Sequence, residues 1–160
     1  MTVNVCLASC VRLLIKNLQM EYILSELNHS EENGCTLEDL EIFIERIGYK
    51  YKYIAANSFL DESFFIDKVD EIFNTNRYSN LQGVILGLHT NFIFPEKIVD
   101  NPLCTGHAVV LQQFSTEKKS YYIISPVTMD LYNVYEIPLE ELYYGLRRNK
   151  NGLNIIYKKG

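Results

Sequence analysis

Apolar residues recur mostly at helical spacing through the first half of the chain, and the second half changes to short apolar runs rich in β-branched and aromatic residues. Leu7, Cys10, Leu14 and Leu18 form one stripe of a helix that begins at or just after Cys6, leaving Arg12 and Lys16 elsewhere. Residues 21–27 read as a second short helix, and 29–34 as a polar loop closed by Gly34. A third helix is announced by Thr36 and Asp39 in capping-box form. It carries Leu37, Leu40, Phe43, Ile44 and Ile47 on one face, with Glu38, Glu41 and Glu45 opposite and Gly48 as its end. Residues 49–53 alternate with period two and predict a strand, its tyrosines half-buried. Residues 61–74 predict another amphipathic helix, with Phe64, Phe65, Val69, Ile72 and Phe73. Beyond it, 83–89, 107–114, 121–124, 131–137 and 153–157 all read as strands, with a turn at Lys118 and Lys119. A helix opens at 138–141 with proline in its first turn. Helices followed by a mostly antiparallel sheet predict an α+β fold rather than alternating βαβ units. The longer connection 90–106, with Phe92, Ile93 and Phe94, reads as a flap over a groove or a packed loop.

At 160 residues and 48% hydrophobic content, one domain spanning 1–160 is expected, burying roughly two thirds of its unfolded surface. Fifteen basic residues against twenty acidic ones give a formal charge of -5. The one basic cluster, 147–150, would neutralise phosphate backbones poorly, so nucleic acid is not expected as a partner. Cys6, Cys10, Cys35 and Cys104 show no C-x-x-C spacing and no signal peptide, which fits a reducing, cytoplasmic setting. Cys6 and Cys10 lie one helical turn apart, yet no paired His or Cys motif completes a zinc set, so neither metal nor cofactor is expected. The apolar runs fall far short of the ~20 residues of a membrane span.

Chemistry enters through Cys6. A thiol at a helix N-terminus meets unpaired backbone N–H groups and the positive end of the macrodipole, which favour the reactive thiolate. The plainer reading is a buried cysteine acting as a small hydrophobe. What separates the two is a base, and among the three histidines His107 leads, because it opens an apolar strand after Thr105 and Gly106. His89, at the end of another predicted strand, is the competitor, and His29 reads as a surface residue.

The order of these elements is specific: a cysteine at a helix start; a Gly-Cys-Thr-Leu-Glu-Asp-Leu helix ending in Ile-Gly-Tyr; then Gly-His-Ala-Val-Val-Leu, and Tyr-Tyr-Ile-Ile-Ser-Pro. It resembles the bacteriocin-processing cysteine peptidases, papain-like domains that remove double-glycine leader peptides, usually at the N-terminus of an ABC exporter. The resemblance extends from Cys6 to about Gly145 and implies a papain-like fold, Cys6 as nucleophile and His107 as base. The family's imidazole-orienting aspartate falls on Ser125, before Pro126, where a neutral hydroxyl can orient a ring but cannot stabilise imidazolium as a carboxylate does. The family's oxyanion glutamine precedes its nucleophile by about six residues. That offset has no counterpart before Cys6, but Asn4 occupies it if Cys10 is the nucleophile. Three functions follow from the resemblance: a stand-alone peptidase, with association to a transporter implied; a papain-like acyltransferase or amidohydrolase; and a degenerate domain that binds peptide without cleaving it.

Overall fold

In a computed structural model, the structure describes residues 6–28, 37–89, 106–115, 117, 119–126, 131–148 and 152–158, with backbone alone at 37, 89, 106, 107, 113, 114 and 148. Three helices come first: α1 (Cys6–Leu14), α2 (Met20–Glu26) and α3 (Leu37–Arg46). Strand β1 (Lys50–Ala55) follows, then a 3-10 turn (Ala56–Ser58) and α4 (Glu62–Asn74). The remaining elements are β2 (Leu81–His89), β3 (Gly106–Ser115), β4 (Ser120–Pro126), β5 (Tyr132–Pro138), α5 (Leu139–Arg148) and β6 (Gly152–Tyr157). This is the α+β order that the spacing of apolar residues predicts, with the N-terminal helices packed on the sheet.

The sheet has the order β1-β6-β2-β3-β4-β5, and every neighbouring pair is antiparallel. Helices cover both of its faces. On one, Leu7, Val11 and Ile15 of the α1 region, Ile23 of α2 and Phe43 and Ile44 of α3 pack with Ile85, Ala108, Val110 and Ile156. On the other, Phe65, Val69 and Ile72 of α4 and Leu142 and Leu146 of α5 pack with Val84, Leu86, Val109, Ile123 and Ile155. Double cover explains the central strands. β2 is buried continuously from Gly83 to Leu88 and β6 from Gly152 to Ile156, whereas the edge strands β1 and β5 keep exposed residues.

Local chemistry sets the element ends. Asp61 caps α4 by accepting the Phe64 N–H at 2.9 Å. Gly48, at φ +94°, closes α3, with Tyr49 N–H donating to the Ile44 carbonyl and Gly48 N–H to that of Glu45, a Schellman arrangement. The first helix is shorter than its apolar stripe predicts. It stops at Leu14, Asn17 turns left-handed at φ 70°, and Leu18 lies beyond the helix. Its buried face is also broader, taking in Ala8, Ser9 and Val11, because α1 lies between the sheet and α2. At its far end α1 presses so closely on β2 that a Cβ at Gly83 would collide with the Leu14 side chain. The predicted capping residue Thr36, the 29–34 loop and the 90–105 connection lie outside the described residues. No helix among the described residues is long and apolar enough to cross a membrane.

Candidate functional site

Cys6 is the first residue of α1, and the helix carries no acidic residue in its first turn to offset the positive end of its dipole. The side chain is half-buried. Its Sγ accepts a hydrogen bond from the backbone N–H of Ala108 at 3.4 Å. That contact spans 102 residues of sequence and docks the helix start on the opening of β3. Ala108 pairs with Gly87 of β2, and the residue before it, His107, pairs with Leu88. The thiol of Cys6 thus lies against the amide that directly follows His107 in the chain. The His107 imidazole is outside the described part of the structure.

Ser125 lies near the end of β4 and is fully buried, opposite Asn133 of β5. Its neighbour Ile124 pairs with Val110, so the end of β4 flanks the beginning of β3. The backbone thereby brings the α1 start with Cys6 to the β3 start with His107, and the β4 end with Ser125 flanks β3; Ser125 alternates with Ile124, which packs on the α1 side, and so shares the opposite face with Ile123.

Cys10, the alternative nucleophile, has a different setting. It is fully buried in the α1–α3 cluster. Burial first, and the charge of Cys6 second, push its thiol well above the ordinary cysteine range. An exposed nucleophile needs the opposite of both conditions. Of the two thiols on this helix, Cys6 has the access and the donor. Asn4, Cys35, Cys104 and His29 lie outside the described residues, as does the side chain of His89, whose backbone pairs with Gly106. Among the described residues, no three His, Cys, Asp or Glu side chains come together as a metal site.

Two contributors escape a reading of the sequence. The Ala108 amide is one, since a backbone donor leaves no mark on residue identity beyond its place after His107. Ser9 is the other. It sits one turn beyond Cys6 with its hydroxyl buried and, among the described residues, without a hydrogen-bond partner, a group whose burial costs about 1–3 kcal/mol. A helical serine predicts no such burial, and α1 provides it by being covered on two sides.

On the same face of the sheet, Asn154 of β6 is a fully buried polar residue. Its Nδ2 donates to the Ile85 carbonyl at 3.0 Å, and its Oδ1 accepts from the Tyr51 hydroxyl. Burial, with smaller contributions from Glu41 and Tyr53, raises the Tyr51 phenol well above its ordinary value, so it remains a donor. This pairing anchors β1 to β6 beneath α3. No protein-family model matches the chain, and no curated protein is significantly similar to it.

Proposed function

We propose that the chain is a papain-like thiol hydrolase that cleaves a peptide with Cys6 as nucleophile. The observation that carries the proposal is the 3.4 Å contact between Cys6 Sγ and the amide following His107. In this reading His107 takes the thiol proton, and the resulting thiolate is stabilised by the Ala108 N–H and the α1 N-terminus. The thiolate attacks the scissile carbonyl. Backbone N–H groups at the helix start hold the oxyanion, and the imidazolium returns its proton to the leaving amine. Water then hydrolyses the thioester, with His107 as base. Ser125 orients the ring from β4. A leader peptide as substrate, association with a transporter and a cytoplasmic location belong to this proposal through the family resemblance.

The neutral hydroxyl at Ser125 supports a second reading, a domain that retains the peptide groove and binds without cleaving. Labelling with iodoacetamide and with a peptide vinyl sulfone at neutral pH, followed by mass spectrometry, separates the two. An enzyme is modified at Cys6 by the peptide reagent, and the modification is lost in His107→Ala. Modification only at Cys35 or Cys104 overturns the enzyme reading.

A further inference from the structure

A second surface lies three strands from Ala108, at the β1 edge of the sheet. Strand β1 and helix α4 enclose a groove of about 360 Å³, lined by Lys52, Tyr53, Phe64, Lys68, Arg77 and Tyr78. It concentrates cations in a chain whose formal charge is -5. Lys68 and Arg77 are held in place by Glu71, at 3.1 Å and 2.7 Å. Lys50 and Lys52 of β1 make no ion pair among the described residues. Phe64, 41% exposed, lines the groove beside the cations, Tyr53, 42% exposed, reaches it from the strand edge, and Leu60, 83% exposed, lies nearby in the chain.

We propose that this groove receives an extended acidic peptide segment of a partner protein, which adds to β1 as a seventh strand. The strand alternation specifies the peptide's pattern. Ile54 packs on the cluster formed by α4, and Lys52 shares its face at a spacing of two, as Lys50 does. Tyr51 belongs to the α3 side, and Tyr53 shares that face. Directly opposed residues on one face of an antiparallel pair interact most strongly. Carboxylates at alternate positions of the peptide therefore face Lys50 and Lys52, with Lys68 and Arg77 beyond them. Apolar residues at the intervening positions face Tyr51 and Tyr53.

Other occupants fit less well. A second copy paired antiparallel about Tyr51 sets Lys50 against Lys52, the arrangement by which edge strands resist self-pairing. An anionic membrane would meet Asp61 and Glu62 directly beside the protruding Leu60. The surface is independent of Cys6 chemistry.

The test uses the full chain and a fluorescein-labelled ten-residue peptide alternating glutamate and valine around a central tyrosine. Anisotropy at low salt gives the affinity, and amide chemical shifts locate the peptide. Binding is expected to perturb the amides of β1. Lys52→Glu should weaken it at least tenfold without moving the melting temperature, and Cys6→Ala should leave it unchanged. N-methylation of alternate peptide amides should abolish it, because strand addition needs those donors. The proposal is overturned by equal affinity for a peptide with lysine in place of glutamate, or for the N-methylated peptide. It is also overturned by unperturbed β1 amides at millimolar peptide, by indifference to Lys52→Glu, by flotation with phosphatidylserine vesicles in place of peptide binding, or by a β1-mediated dimer.

Discussion

Ser125→Asp puts the proposed site under its strongest test. Position 125 is fully buried on β4, opposite Asn133 of β5. A carboxylate introduced there without a counter-charge carries a desolvation cost of several kcal/mol. Taking about 3 kcal/mol, the unfolding equilibrium shifts by roughly 150-fold and the melting temperature of a chain this size falls by about 6–12 °C. If the His107 imidazolium lies beside it, the outcome reverses. The carboxylate is paired, stability is kept or gained, and the imidazole pKa rises. Thiolate–imidazolium formation is then favoured, so Cys6 alkylation and peptide turnover should quicken tenfold or more, within the ~10⁴ an orienting carboxylate provides in serine triads. The pH dependence has opposite signs in the two cases. A lone buried carboxyl has a raised pKa, so the variant's deficit is absent below about pH 3.9 and grows as pH rises. A paired one has a depressed pKa and raises that of the imidazole, so its benefit is greatest between about pH 4 and 6.5 and fades as pH climbs through the imidazole's raised value. Melting curves at pH 4, 5.5 and 7, run beside iodoacetamide kinetics, distinguish the two. A melting temperature lower at pH 7 than the parent's, with no gain in Cys6 reactivity, refutes the placement of Ser125 as the group that orients His107.

Three further outcomes follow from the structure. Cys10→Ala should cost about 1 kcal/mol, comparable to losing a buried methyl, and leave Cys6 alkylation intact. Because the folded Cys10 pKa is raised, its stability contribution is lost above the unfolded value near pH 8.5, so the variant should lose less stability between about pH 8.5 and 10. Urea melts across that range check this, and an alkylation rate that collapses in Cys10→Ala would move the nucleophile to Cys10. Gly152→Ala should unfold the chain or cost more than about 3 kcal/mol, since its Cβ would strike the Ile54 carbonyl and the Ala55 Cα of the neighbouring strand; a soluble variant with a parental melt contradicts that packing. Tyr51→Phe removes the donor to the buried Asn154 Oδ1 and should cost about 1–3 kcal/mol by urea denaturation, and a change under about 0.5 kcal/mol would show the phenol to be dispensable.

What the sequence makes visible is local. The α3 end at Gly48 and the short β-branched and aromatic runs of β2 to β6 lie in neighbouring residues, and the helix start at Cys6 lies where the apolar stripe begins. The elements stand close to those positions. What stays hidden is set by partners distant in the chain. The stripe through Leu14 and Leu18 overruns α1 because only the packing of α1 on α2 and Gly83 decides where it must stop. The Ala108 amide that meets Cys6, and the buried Ser9 hydroxyl, belong to positions whose residue types carry no such message. The cover of helices on both faces is likewise invisible until the sheet order is known.

That order makes assembly of the sheet late and non-local. β6, the last strand in chain order, sits between β1 and β2, so strands made early have no bridge to one another until it arrives. A nascent chain can build the β2-to-β5 meander by local hairpins, but β1 must wait, its Lys50 brought to Tyr157 only after more than a hundred intervening residues are made. Folding should therefore end with a slow closure in which β6 zips two preformed pieces. In that interval β1 lacks the strand that pairs with it, which exposes it, and α3 beside it, to chaperones and proteases.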